Sequence, residues 1–507
     1  MLADAGAGDR SRFTQQVFDV CVVGAGPAGI TLARRLAGQG LAVALMEAGG
    51  LEITPRSQDL YAGEVVGLDY LGLDVVRLRA FGGTSGHWSG RCRMLDAHDF
   101  TALPHRPQAW PIARDDLEAY QPEAAAILDL AAPEQGRDRP VRQATPRFRE
   151  IPWRFSPPTR FGEKYRDEIA AEPRIALALN ANLVDLRLAP DLATVEGAVF
   201  RSYAPDDPGF TVRARAFALA AGGIETPRLL LNFTAQKPAG IGNDHDLVGR
   251  YFCEHPALVA ADVIYRARPG VEQYDLAATL GFMLREEVLG FWLRLESRDH
   301  RVQPIGTALS ATAQCLTPLS RRLSRRLLGR RPRCLWGGVE EYLVRREPGS
   351  HSWGWVFLAL EQSLLPESRV ALAATTDAFG LRRVRLDWRL AEADYRTLQT
   401  ALLALGAHMA EQDLGRIRVR DGLLDDPVVL PETGGGAMNG GFHHMCTTRM
   451  DADPSQGVVD ADCRVHETAN LFVAGSAAFA TGGASTPTLT IVALALRLAD
   501  HLRGVLG

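Results

Sequence analysis

Phe18-Asp-Val-Cys-Val-Val-Gly24-Ala-Gly-Pro-Ala-Gly29 is an apolar run that ends in a glycine-rich turn. The six residues before Gly24, apolar except for Asp19, predict a buried strand, and Ile30 to Gly38 then reads as a helix. A second apolar strand, Leu41 to Met46, ends at Glu47. Strand, glycine turn, helix, strand and acid follow in the order that a dinucleotide requires. Gly24 permits the tight turn, Gly26 lets a pyrophosphate approach the backbone, and Gly29 lets the helix lie against the strand. Glu47 falls 23 residues after Gly24, where a carboxylate accepts from ribose hydroxyls. The first ordered segment is therefore read as a nucleotide-binding βαβ unit.

Outward from this unit, glycine returns at three places. Phe81-Gly-Gly-Thr-Ser-Gly-His-Trp-Ser-Gly90 sets glycines among polar residues, as backbone lying close on a ligand does. Ala216 to Ala220 reads as a strand that runs into Ala221-Gly-Gly-Ile-Glu-Thr-Pro227, with a helix from Arg228; this is a second strand–turn–helix junction open to phosphate. Near the C-terminus, Asn470-Leu-Phe-Val-Ala-Gly-Ser476 reads as a strand and turn, and Thr486-Pro-Thr-Leu-Thr490 leads into an apolar helix over 491–502. Thr486 is placed to cap that helix, with Pro487 in its first turn.

Residues 260–435 differ in pattern. Alternation at Gly281-Phe-Met-Leu-Arg and Gly290-Phe-Trp-Leu-Arg-Leu predicts an antiparallel sheet, continued by 353–360 and 368–372, and 395–412 reads as one amphipathic helix. Seven arginines between Leu316 and Arg333 overlie apolar positions. They read as the solvated face of a helix, with contact to a membrane surface or acidic partner as the alternative.

Bulk properties exclude several classes. The chain has 507 residues and a net charge of −4, so no global field favours nucleic acid. Seven dispersed cysteines include no C-x-x-C pair, so neither a zinc nor an iron–sulfur site is signalled, and no metal is expected. The N-terminal stretch lacks an apolar core like that of an export signal, and a cytoplasmic location is expected.

Four separated motifs resemble the glucose–methanol–choline (GMC) oxidoreductase family. They are Gly24 to Gly29 with Glu47; Gly82-Gly-Thr-Ser-Gly-His-Trp88; Ala220-Ala-Gly-Gly-Ile-Glu225; and His443-His-Met-Cys-Thr-Thr-Arg-Met450 with Asn470 to Ser476 and Pro487-Thr-Leu-Thr490. Leu247-Val-Gly-Arg-Tyr-Phe252 with His255-Pro256 is also similar to the family. The resemblance is closest to bacterial sugar and polyol dehydrogenases and to pyranose oxidase-like members. It implies an α/β FAD-binding Rossmann-like domain, discontinuous in sequence (16–100, 175–258 and 436–507), and an α+β substrate domain on an antiparallel sheet (101–174 and 259–435). FAD is then held by Gly24, Gly26, Gly29, Glu47, Gly83, Thr84, His87, Val184, Ala221, Gly475, Ser476 and Thr488. Catalysis falls to His443 and Thr486: a secondary alcohol loses its proton to His443 and its hydride to flavin N5.

Two positions depart from the family pattern. Cys446 stands where the family has glycine, and Thr486 stands where it has histidine or asparagine. These departures carry an alternative: a drifted flavoprotein that performs a non-standard oxidation, a cyclisation or a lyase step. A flavin-binding scaffold without activity is a third reading. His87 is either bonded covalently to the flavin or close to it without a bond, the second being expected. The implied partners are a small-molecule alcohol and either oxygen or an electron carrier as acceptor.

Overall fold

The computed structural model describes residues 2–6, 10–131, 145–266, 273–298, 352–431 and 439–507. The arginine-rich stretch over 316–333 lies outside the described residues.

The βαβ unit forms as expected. Val17–Val23 is a strand whose last four residues are buried, and the helix Pro27–Gly38 follows with proline at its start. Full burial fits a parallel sheet covered on both faces. Val17–Val23 pairs in parallel with Val43–Met46 on one side and Phe210–Leu219 on the other. Ile175–Leu179 and Leu2–Asp4 extend one edge, also in parallel. Beyond Phe210–Leu219 the sheet turns antiparallel through Val195–Arg201 and Asn182–Leu188, while Leu471–Val473 pairs in parallel with Phe210–Leu219. The C-terminal helix Thr488–Leu506 packs on Pro27–Gly38, so the two ends of the chain share one core.

A second sheet is antiparallel throughout its described strands. Its order is Gly415–Val419, Pro256–Tyr265, Ser352–Leu360, Phe291–Arg298, Gln273–Ala278 and Phe148–Glu150, with Asn439–Gly440 beside Pro256–Ala257. The helix Glu392–Glu411 covers it with an apolar face that includes Leu398, Leu402 and Leu405. No helix among the described residues is long and apolar enough to cross a membrane.

Several elements differ from expectation, each for a local physical reason. Gly281–Arg285 is helical, within Leu280–Glu286, because the Thr279 side chain accepts from the Phe282 amide and caps a turn there. The second junction helix begins at Gly222, six residues before Arg228, and carries Pro227 inside it. Proline cannot donate to the carbonyl four residues back. That carbonyl, on Gly223, instead accepts the Thr447 hydroxyl at 2.6 Å. Two segments cross the expected domain limits. Gly63–Gly67 pairs with Arg382–Trp388 on the substrate side, and Leu117, Ala124 and Ile127 pack into the core of the parallel sheet.

Candidate active site

A cavity of about 440 Å³ opens where three helices begin, at Pro27, Gly222 and Thr488. Helix starts present unpaired N–H groups and positive dipole ends, a ready place for phosphate. Gly26 faces this space: a Cβ built there meets nothing within 4 Å. At Gly29, by contrast, a Cβ would lie 1.9 Å from the Gly24 carbonyl oxygen, so this glycine serves helix-to-turn packing. Arg77 and Arg79 also line the cavity, both buried and both in ion-pair range of Glu225, with Nη1 of Arg77 and Nε of Arg79 lacking a hydrogen-bond acceptor. Two arginines with unused N–H groups, in a cavity where three helices begin, fit the charge of a pyrophosphate. Glu47 accepts from the amides of Ala25 and Gly49, at 2.8 Å each, and lines the same space with lone pairs to spare for a ribose. The residues present therefore fit a dinucleotide such as FAD.

Of the residues singled out in the sequence, Gly24, Gly26, Glu47, Gly83, Thr84, His87, Ala221, Gly475, Ser476, Thr488, His443 and Thr486 all line this cavity. Gly29 lies behind the wall for the reason just given. Val184 is not part of the lining; its strand neighbour Leu183 is, as alternation along a strand dictates. Sequence reasoning missed Tyr61, Arg77, Arg79 and Arg91, which also line the cavity. None belongs to a motif.

At the far end of the cavity, residues 439–445 run antiparallel along residues 253–257. Gly440 pairs with Pro256, the Gly441 amide donates to the His255 carbonyl at 3.0 Å, and Cys253 and Met445 exchange backbone hydrogen bonds. This register sets His443 against His255, edge to face, with Nδ1 to Nδ1 at 2.7 Å. On the other side, Nε2 of His255 lies 2.8 Å from the carbonyl oxygen of Gly483. A carbonyl only accepts, so His255 carries its proton on Nε2. Burial lowers the pKa of His255, and burial together with His255, His444 and Arg91 holds His443 well below the usual histidine range. Both rings are therefore neutral near pH 7. Nδ1 of His255 is then an acceptor, Nδ1 of His443 donates to it, and Nε2 of His443 keeps a free lone pair.

Glu254 braces this pair. Its carboxylate accepts from the amides of His255, at 2.8 Å, and His443, at 2.7 Å, and from the Tyr70 hydroxyl. Burial pushes its pKa up to about 7. His444 is tied back: Nε2 lies 2.9 Å from the Tyr70 hydroxyl, and its carbonyl accepts from Ser476. Cys446 has φ of +68°, a conformation that favours glycine, and its sulfur lies 2.9 Å from that of Cys253. Thr486 does not cap the C-terminal helix, whose cap residue is Pro487. Its hydroxyl donates to the Arg91 carbonyl at 2.9 Å.

Residues 365–495 match the sequence profile described as GMC oxidoreductase. Over that stretch the chain is similar to the GMC oxidoreductase family. Members of that family are FAD-dependent oxidoreductases that act on CH–OH groups. It is 26% identical to the 2-methyl-1,2-propanediol dehydrogenase of Mycolicibacterium austroafricanum, over 96% of this chain and 95% of that protein. It is 24% identical to the fructose dehydrogenase large subunit of Gluconobacter japonicus, over 96% and 97% of the two chains. Among solved structures, pyridoxine 4-oxidase from Mesorbium loti superposes with a TM-score of 0.56 at 15% identity, covering 96% of this chain and 99% of that one. The fold, with its large mixed sheet and its large antiparallel sheet, agrees with that likeness.

Proposed function

We propose that the enzyme oxidises a secondary alcohol of a sugar, glycoside or specialised metabolite, with His443 as the base. The observation that carries this reading is the free lone pair on Nε2 of His443, in a neutral ring at the cavity wall. A carbinol carbon gives up hydride readily only as its hydroxyl proton leaves, and a neutral imidazole within reach takes that proton. Bound FAD supplies the hydride acceptor. His255 acts through His443: it fixes the tautomer and the ring plane and leaves one nitrogen for the substrate. Thr486 has committed its proton to the Arg91 carbonyl, so towards a substrate oxygen it can only accept. His443 therefore works without a second donor from that position. Ser476 and Thr447 hold the segment that bears the histidines, and keep His443 from shifting during proton transfer. His87 lines the cavity beside Trp88, and we place it near the flavin without a covalent bond.

Anaerobic mixing of the holoenzyme with a panel of sugars, glycosides and diols tests the reading. Bleaching of the flavin by at least one alcohol is expected, and His443→Ala should slow it by about a hundredfold. Failure of every alcohol to bleach the flavin would sink the proposal.

A further inference from the structure

Arg91 lines the same cavity as His443, and its carbonyl holds the Thr486 hydroxyl. Its guanidinium sits among three aromatic rings. Cζ lies 5.3 Å from the ring centre of Trp153, 5.1 Å from that of Trp292 and 5.7 Å from that of Phe155. Neighbouring arginines are paired: Arg294 with Asp275 at 2.9 Å, and Arg93 and Arg149 both with Asp96. The Arg91 side chain makes no hydrogen bond or ion pair among the described residues, and its Nε is buried without an acceptor. Nε1 of Trp153 and Nη2 of Arg294, around the same rings, are also buried donors without acceptors.

Aromatic rings satisfy the faces of a guanidinium. They do nothing for its five in-plane N–H groups. An unpaired cation that is largely withdrawn from water is costly unless something pairs with it. Burial and Arg294 pull the pKa of Arg91 down to about 10, so it remains charged at neutral pH, and its charge reaches His443. Asp275 and Glu296 are near enough to be felt but do not touch it. Asp96 and Asp275 thus answer the other three arginines (93, 149 and 294), and the one at the cavity, Arg91, touches neither of them. A neutral sugar would leave that charge unanswered. A carboxylate or phosphate offers coplanar acceptors matched to the guanidinium edge.

We propose that Arg91 docks an anionic oxygen group on the substrate, so that the enzyme takes alcohols that also carry a carboxylate or phosphate. The rings of Trp153 and Trp292 then form the apolar platform beside that group. This rests on the alcohol-oxidising reading for the reaction, but not for the binding.

The test uses the holoenzyme with D-glucose, D-glucuronate and D-glucose 6-phosphate as matched probes. Binding is read without turnover from tryptophan fluorescence, and reaction from anaerobic flavin bleaching. At least one anion should saturate at a concentration about tenfold or more below that of glucose, with the advantage shrinking as salt is added. Whichever anion wins identifies the group. Arg91→Met should abolish the advantage while flavin content and thermal midpoint stay close to the parent; Arg91→Lys should keep part of it. Equal binding of glucose and both anions, no saturation by either anion, or an anion preference that survives in Arg91→Met would overturn the proposal. If anions bind through Arg91 but no alcohol bleaches the flavin, the alcohol-oxidising reading falls and the anion site stands. If neutral alcohols bleach it with no anion preference, the reverse holds.

Discussion

The rings of His443 and His255 share one hydrogen bond between their Nδ1 atoms, 2.7 Å apart, although 188 positions separate them in the chain. The contact decides which nitrogen of His443 is basic, and it also helps keep His443 uncharged. A second imidazole beside it resists a second positive charge.

The acid limb of flavin reduction follows from this. The neutral form of His443 is the active one and its pKa is depressed, so the rate should stay flat well below pH 6.5 before it falls. His255→Ala removes one depressing neighbour and the tautomer lock together. The limb should move up towards the ordinary histidine value, and the plateau should drop by about tenfold. Stopped-flow bleaching across pH checks both. An unmoved limb would show that His255 is only packing.

Gly26 and Gly29 should fail in different ways. Gly26→Val adds a side chain to open space, so the protein should fold, with the far-UV signature of the parent, but lose its yellow colour. Gly29→Val drives Cβ into a carbonyl oxygen and should give little soluble protein. Flavin content and yield of the two variants, measured side by side, decide it. A yellow Gly26→Val protein would move the phosphate elsewhere.

Thr486→Val keeps the shape of the side chain and removes its hydroxyl. Because that hydroxyl already serves the Arg91 carbonyl, reduction should slow by less than about tenfold, well short of the loss at His443. Thr486→Asn supplies a donor that reaches further and should raise turnover of small sugars. Steady-state profiles on a sugar panel report this, and an Asn variant indistinguishable from the parent would remove any functional meaning from this position.

Glu254 links the site to stability. Its pKa is about 7 in the fold against 4.5 for the free group, so its contribution is fully present below pH 4.5 and is lost as pH rises through 7. Glu254→Gln imitates the protonated form. The variant's melting point, relative to the parent, should rise by a few degrees between pH 5 and pH 8. A difference that does not change with pH would refute this assignment.

What could be read in advance was local. The turn from Gly24 to Gly29 and its flanking strands follow from nearest neighbours, and His443 follows from a motif. The helix over Leu280–Glu286 was not legible, because a short apolar run alternates as well for a strand as for a turn of helix, and only the Thr279 cap separates them. Arg91, Tyr70 and Glu254 stand in no pattern. Tyr70 meets Glu254 across 184 positions, and no spacing rule reaches that far. His255 was visible as His255-Pro256 but had no role until the backbone of 439–445 was laid beside it. Thr486 was misplaced as a cap because its donor role depends on a carbonyl 395 residues away.

The cavity wall draws on both ends of the chain, and this bears on how the protein is made. Pro27–Gly38 leaves the ribosome long before Gly475, Ser476 and Thr488 have been translated. At ordinary elongation speeds, roughly 20 to 90 s separate the two. Through that interval the parallel sheet lacks Leu471–Val473, and the helix Pro27–Gly38 lacks its partner Thr488–Leu506. The growing polypeptide must therefore wait with an unfinished nucleotide pocket and an uncovered apolar helix face, open to chaperones. Cofactor loading must wait until residues 471–488 have been made, and stalled chains that end before residue 470 should carry no flavin.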